Sequence, residues 1–418
     1  MQGVRLRERI HQHRERHRGQ VTGGVVVVGA GLAGATAGTS LRELGFDGPI
    51  TLVGAEPVLP YERPGLSKGY LAGSTSADDL TVHGPEVYER FDIDVRLGAE
   101  AVALDTDARR LSLADGTTLP YDDVVIATGS VNRRPPLPGM ELRGVHQLRT
   151  IAEASALRSA ASTARTAVVV GQGFVGCEVA ATLRSLGLDV TMVDPLPGPL
   201  WSLGAELSAR VAQWHTGAGV RLRNDVGVAS LDGASAVTSV TLADGAVLPA
   251  DLVVVGVGAL PATDWVSGVE LVDGAVAVDA DGRSSAPHVW AIGDAAAAWD
   301  EQTGSHRRVE HFDSAIVQGQ RVAHALVGAP SPAGGRSWFW TDQHGHTLMH
   351  GGVHGPEDDL VWRGEAVAFW LRDGEVTAVA GIDAGRDFRR AMKIIGTRPA
   401  TADLQDDALD LRAVSAAG

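Results

Sequence analysis

Residues 25–53 and 168–193 of this chain run through the same succession of strand, glycine-rich turn, helix and strand. The first reads VVVVGAGLAGATAGTSLRELGFDGPITLV and the second VVVGQGFVGCEVAATLRSLGLDVTMV. Each opens on a valine run bounded by glycine, as a parallel strand buried on both faces does. Each continues as G-x-G-x-x-G, with Gly29, Gly31 and Gly34 in one copy and Gly171, Gly173 and Gly176 in the other. A leucine (Leu41, Leu183) and a glycine stop (Gly45, Gly187) follow at matching places. The second strand of each copy then ends in an acid, Glu56 or Asp194, roughly 20 residues past the third glycine.

That spacing has a mechanical reason. The first glycine makes the tight turn, the second lets backbone N–H groups approach a pyrophosphate, and the third lets helix and strand pack closely. The helix N-terminus faces the phosphates with its positive dipole end, and the distal carboxylate accepts from ribose hydroxyls. One such pattern is weak evidence; two complete copies in one chain are strong. Two dinucleotide sites point to two dinucleotides that exchange electrons, and a flavin with a nicotinamide is the natural couple. Asp194 is followed by PLPGPL, with no basic residue to hold a 2′-phosphate, which favours NADH over NADPH.

Composition removes other classes. The chain has 418 residues, enough for two or three domains, and 44% hydrophobic against 21% charged residues is ordinary for a globular protein. A formal net charge of −15 argues against nucleic acid as a partner. No apolar run approaches the roughly 18 residues of a membrane span. The single cysteine, Cys177, excludes a disulfide framework, a paired-thiol redox centre and cysteine-ligated metal, and reads as a small buried hydrophobe. Residues 1–21 form a basic leader with arginine and histidine interleaved, read as a solvated terminus without catalytic part. No signal-type apolar stretch follows it, so the expected location is the cytoplasm.

Further motifs occur in a fixed order: LPYERPGLSKGYL (59–71), VVIATGS (124–130), GQGFVGCEVA (171–180), HVWAIGDAA (288–296), RRVEHFDSAIVQGQ (307–320) and WFWTDQ (338–343). Together they resemble the ferredoxin-reductase family of FAD-dependent pyridine-nucleotide oxidoreductases, over essentially all of residues 25–414. The resemblance implies an α/β fold: two Rossmann-like dinucleotide-binding domains, glutathione-reductase-like, plus a C-terminal α+β domain. The expected division is 22–133 with 258–330 for FAD, 134–257 for NADH, and 331–418 for the C-terminal domain.

For the FAD site the resemblance implies Gly29, Gly31, Gly34, Glu56, Arg63, Lys68, Thr128, Gly129, Asp294 and Trp340. For NADH it implies Gly171, Gly173, Gly176, Asp194, Gly258 and Glu310. Thr128 and Gly129 are expected where the chain leaves the FAD domain. Asp294 is expected at a strand end before an alanine-rich helix, beside a ribityl hydroxyl. Lysine usage adds an independent argument, because only Lys68 and Lys393 stand among 36 basic residues. An ammonium is a compact charge of adjustable pKa, which a guanidinium is not. By resemblance Lys68 lies at the central ring of the flavin, paired with Glu178, and both act as electrostatic tuners. Gly65 replaces a usual proline, which loosens the loop before Lys68. Ala55 replaces a usual acid, which leaves open whether Glu56 or backbone holds the adenosine ribose.

Beyond Pro332 tryptophan and histidine increase. In a strand, Trp338 and Trp340 share one face and Phe339 the other. The resemblance puts Trp340 at the flavin, towards the electron acceptor. His344, His346, His350 and His354 share parity, but intervening glycines and the lack of a completing carboxylate argue against a metal. Arg386, Arg389, Arg390 and Lys393 are spaced for one helical face, a basic patch on an acidic protein that suits an acidic ferredoxin. The expected function is an FAD-dependent NADH:ferredoxin reductase that serves a cytochrome P450 or oxygenase, as a monomer or homodimer. Three alternatives stay open: a rubredoxin reductase, a flavin oxidoreductase acting on a small substrate, and an NADH-responsive interaction protein like the apoptosis-inducing-factor relatives.

Overall fold

The valine run Val25–Val28 is the central strand of a five-stranded parallel sheet, in the order Val289–Ala291, Asp123–Ile126, Val25–Val28, Ile50–Gly54, Asp94–Leu97. The computed structural model describes residues 24–301, 303–332 and 335–414; the basic leader lies outside the described residues. Alternation along the run sorts its side chains. Val25 and Val27 pack with Ala33, Ala37 and Leu41 of the helix Leu32–Glu43 and with Val322 of the helix Phe312–Leu326. Val26 and Val28 pack on the other side with Leu104, Leu111 and Leu119 of a three-stranded antiparallel sheet. The two helices approach closely because Gly319 faces Ala33, where a Cβ would stand 2.8 Å from the Ala33 carbonyl oxygen.

The second copy builds the same object. Its parallel sheet runs Arg221–Arg223, Asp189–Val193, Thr166–Val170, Leu252–Val255, Val145–His146, with the glycine-motif strand again central. The helix Phe174–Ser185 follows that strand. A three-stranded antiparallel sheet supplies Leu231, Val240 and Leu242 to a core with Val168 and Val170. The repeat read from the sequence is thus a repeat of core and of the order of four strands, while the fifth strand follows the unit in one copy (Val289–Ala291) and precedes it in the other (Val145–His146).

By packing, the chain divides into two units. One comprises Met1–Glu62, Asp78–Val131 and Ala259–Gly335; the other comprises Arg63–Ala77, Asn132–Gly258 and Arg336–Gly418. The segment that carries Arg63 and Lys68 therefore groups with the second copy, as does the C-terminal region. That region is a five-stranded antiparallel sheet, Trp338–Gln343, His346–Gly352, Glu375–Ile382, Val367–Arg372, Asp359–Arg363, with the helix Gly385–Ala391 packed through Phe388 and Ala391.

Two expectations are corrected. No alanine-rich helix follows Asp294. A 3₁₀ turn, Gly293–Ala295, leads into the strand Ala296–Asp300, which pairs in parallel with Ala275–Val278 and antiparallel with Ser305–Arg307. Alanine favours helix by itself, but pairing on both edges outweighs that weak preference. The basic patch is also not one helical face. Its helix stops at Ala391, so Lys393 lies in the turn beyond. Arg390 is held by Asp387 at 3.1 Å and Asp410 at 3.7 Å, which leaves Arg386, Arg389 and Lys393 exposed.

Candidate functional site: two nucleotide cradles and a partly buried ion pair

The three glycines of each motif have different neighbours. At Gly29 (φ +121°) a Cβ would lie 2.1 Å from the Ala127 carbonyl oxygen, and at Gly34 one would lie 2.0 Å from that of Gly29. The second copy repeats this: 2.2 Å from Gly171 (φ +102°) to the Gly256 oxygen, and 2.1 Å from Gly176 to the Gly171 oxygen. The protein's own packing therefore demands the first and third glycines. The middle ones, Gly31 and Gly173, face open space, with nothing within 4 Å of an added Cβ. Their backbone is extended, a conformation any residue adopts, so nothing in the fold requires glycine there. Each is the N-cap of its helix, with no side-chain cap and no acid in the first turn. Both helix ends thus keep their positive ends for an outside anion, which fits a pyrophosphate.

The distal acids differ. Glu56 accepts from the Tyr61 hydroxyl at 2.7 Å. Asp194 accepts from the backbone N–H of Gln172 at 2.7 Å and of Leu196 at 2.8 Å, so it ties the glycine turn to the end of its strand. Between Gly171 and Gly173, the buried Gln172 gives its amide N–H to Asn224 at 3.0 Å, while its Oε1 is buried without a partner. That orphaned acceptor sits in the second cradle and suits a ligand donor. Arg223, on the neighbouring strand, is engaged by Asp244 at 2.8 Å.

In the first unit Thr128 Oγ1 donates to the Ala262 carbonyl at 2.7 Å, and the Gly129 carbonyl accepts from the Ala262 N–H at 2.9 Å. The two stitch the departing chain to the returning one. Asp294 accepts from the Ser130 hydroxyl at 2.8 Å on its turn beside the parallel sheet. Glu310 also belongs to this unit and lies 2.7 Å from Arg308, whereas Gly258, with its carbonyl accepting from Arg133, belongs to the second.

The second unit brings Lys68 and Glu178 together, Nζ to Oε2, at 2.8 Å, with side chains 20% and 7% exposed. Lys68 also donates to the Pro64 carbonyl at 3.0 Å. The Ser67 hydroxyl donates to the same Glu178 oxygen at 2.5 Å, and Thr341 donates to Oε1 at 2.7 Å. Arg63 turns to the Arg149 carbonyl at 2.5 Å. Trp340 is half-buried, its indole N–H on Asp342 at 3.2 Å and its ring 5.8 Å from Trp338, while Phe339 meets Phe174 edge-on at 4.8 Å. Ser67, Thr341, Gln343 and His215, which the sequence did not single out, complete the surroundings of Glu178. LPYERPGLSKGYL and WFWTDQ contain three of them, and only His215 lies outside every quoted motif.

Cys177 is buried, and burial first, then the charges of Glu178 and Asp194, pushes its thiol well above the usual range. The four histidines have different partners: His344 opens the turn after Gln343, His346 stacks on Trp214 at 4.7 Å, and His350, stacked on Phe339 at 5.3 Å, lies 5.4 Å from His354. Among the described residues no group of three or more His, Cys, Asp or Glu is arranged to hold a metal ion, and no helix is long and apolar enough to cross a membrane.

His215 gives a stability prediction. It is fully buried, and burial, reinforced by His344, lowers its pKa from 6.5 to about 4. A base with a depressed folded pKa contributes stability above its unfolded pKa and loses it as pH falls towards the folded one. Between pH 7 and pH 4.5 this amounts to about 2 kcal/mol. Urea melts of the protein and of His215→Leu should therefore differ by about 2 kcal/mol less at pH 4.5 than at pH 7.

Two nucleotide cradles on duplicated parallel sheets, with a partly buried ion pair and no second thiol, define a two-dinucleotide oxidoreductase. The chain belongs to the pyridine nucleotide-disulphide oxidoreductase family, whose pattern matches residues 23–319; a reductase C-terminal domain matches residues 338–415. Its cofactors are FAD and NADH. With one cysteine, it has no dithiol of its own for the disulfide chemistry in the family's name. Among proteins similar to it are rhodocoxin reductase of Rhodococcus erythropolis, 36% identical over 89% of each chain, and the biphenyl dioxygenase system ferredoxin–NAD(+) reductase component of Paraburkholderia xenovorans, 36% identical over 93% of this chain and 97% of the other. In structure it resembles the reductase of the covalent putidaredoxin reductase–putidaredoxin complex, with a TM-score of 0.89 and 30% identity over 94% of this chain and 98% of that one.

Proposed function

We propose that this protein is an NADH:ferredoxin reductase that passes electrons to an iron–sulfur ferredoxin serving a cytochrome P450 or other oxygenase. The observation that carries the reading is the pair of cradles whose middle glycines face open space, Gly31 and Gly173, in one chain. Relatives of matching length named as ferredoxin reductases support the choice of acceptor. FAD, when bound, supplies hydride acceptance from a nicotinamide and return of electrons singly.

This chain's residues bind and tune. The Gly29–Gly34 turn and its helix end hold the FAD pyrophosphate, with Glu56 and Asp294 on hydroxyls, and the Gly171–Gly176 turn holds that of NADH. Asp194 favours a free ribose hydroxyl, and the engagement of Arg223 with Asp244 leaves that guanidinium occupied. Lys68, steadied by Glu178, presents a fixed positive charge to the flavin, and Trp340 lines the route to the acceptor. No side chain need move a proton in the hydride step. With a single buried thiol, the protein suits the reducing cytoplasm.

Arg386, Arg389 and Lys393 form the dock for an acidic ferredoxin. Opposite charges across an interface act mostly on the association rate, by about 10-fold or more at low salt. The double variant Arg386→Glu, Arg389→Glu should lower kcat/KM for ferredoxin about 10-fold at low ionic strength and flatten its salt dependence, with NADH-driven flavin bleaching unchanged. An unaltered salt dependence would place the dock elsewhere.

A further inference from the structure

The surroundings of Glu178 extend well beyond Lys68. Thr341 donates its hydroxyl to Glu178 Oε1 at 2.7 Å and accepts at the same oxygen from the Gln343 amide at 2.9 Å. The Gln343 Oε1 meets His215 Nε2 at 3.0 Å, and His215 Nδ1 meets His344 Nε2 at 3.0 Å. Glu178, Thr341, Gln343 and His215 are all buried, and only His344 reaches partial exposure. Three elements contribute: the helix Phe174–Ser185, the hairpin that turns at His344, and the helix Ala205–Gly217.

Valence fixes the direction of every bond. As the anionic partner of Lys68, Glu178 only accepts, so the single Thr341 proton points at it. Thr341 then accepts, so Gln343 presents its NH₂ to Thr341 and its carbonyl to His215. His215 must carry its proton on Nε2, which leaves Nδ1 bare to accept from His344 Nε2–H. One charge thereby orients four side chains, and each donor in turn points towards it. Aligned hydrogen bonds in a low-dielectric interior reinforce one another.

We propose that Thr341, Gln343 and His215 are positioning residues, a one-way hydrogen-bond chain that fixes the second oxygen of Glu178 and, through the ion pair, the ammonium of Lys68. The functional half rests on the reading that Lys68 and Glu178 serve the flavin; the chain itself does not.

The test uses the full-length holoprotein with ¹⁵N-labelled histidine and two readouts. By NMR, His215 should show one neutral tautomer, protonated on Nε2. Thr341→Val, which keeps shape and removes the hydroxyl, should admit the other tautomer, as should Glu178→Gln, read at a ring three hydrogen bonds away. Thr341→Ser should preserve the native tautomer. In anaerobic stopped flow, Thr341→Val should slow flavin reduction by NADH about tenfold, and Thr341→Ser should recover most of the rate. A tautomer that ignores both Thr341→Val and Glu178→Gln overturns the chain, and a changed tautomer with an unchanged rate overturns the positioning role. If NADH fails to bleach the unaltered protein, the flavin reading falls while the tautomer still decides the chain.

Discussion

Gly31→Val should yield a folded, colourless protein. The backbone at Gly31 is extended and an added Cβ has nothing within 4 Å, so a side chain can leave the backbone there without meeting the fold. That open space is where a pyrophosphate must approach the N–H groups of the helix end. Charge-assisted hydrogen bonds contribute about 1.5–3 kcal/mol each, so displacing the phosphate from two of them lowers FAD affinity by roughly 100-fold or more. Gly173→Val should instead keep the yellow colour and raise KM for NADH by a similar factor. Gly34→Ala is the control: its Cβ would press on the Gly29 carbonyl at 2.0 Å, and it should damage folding as well as FAD content. Absorbance at the flavin band and circular dichroism of the purified variants separate these outcomes. A Gly31→Val protein with full FAD content would remove the first cradle from the account.

The second large effect is expected at the ion pair. Lys68→Met keeps the apolar stem and removes the charge, while Glu178 retains the hydroxyls of Ser67 and Thr341. The fold should therefore survive with its FAD, and NADH-driven reduction should slow by about 100-fold or more, the low end of the range for losing one preorganised electrostatic donor beside a reacting centre. Lys68→Arg should not restore the rate, because a planar guanidinium cannot replace a compact ammonium against one carboxylate oxygen. Glu178→Ala should be worse for stability, since it strips Lys68 of its 2.8 Å partner in a site only 20% exposed at the lysine. Breaking a fully buried pair costs about 3–5 kcal/mol, and the partial exposure of Lys68 reduces that figure. Stopped-flow reduction and FAD content measure both; unchanged values would take Lys68 out of the site.

The architecture was legible because it is local and repeated. A valine run, three glycines at fixed spacing and a distal acid all fall within about 30 residues, so the strand–turn–helix–strand unit is written in one continuous stretch. Lys68 was legible for a different reason, its rarity in an arginine-rich chain, and resemblance supplied Glu178. What escaped detection is what only assembly decides. Ala296–Asp300 has the composition of a helix and becomes a strand because two partners flank it. The helix after Gly385 ends at Ala391, although basic residues continue at helical spacing. Thr341 and Gln343, on one face of one strand, meet Glu178 and His215 on two separate helices, and no spacing rule joins the strand to those distant positions. The middle glycines show the converse: their requirement was read from the motif, while the structure shows that nothing within the protein imposes it.

Electron transfer from NADH to a ferredoxin is read by cytochrome c reduction with the purified yellow protein, with and without an added bacterial [2Fe–2S] ferredoxin. Rapid bleaching by NADH and a large ferredoxin-dependent gain in cytochrome c reduction are expected. Bleaching by NADH with no gain from any ferredoxin supplied would contradict that transfer.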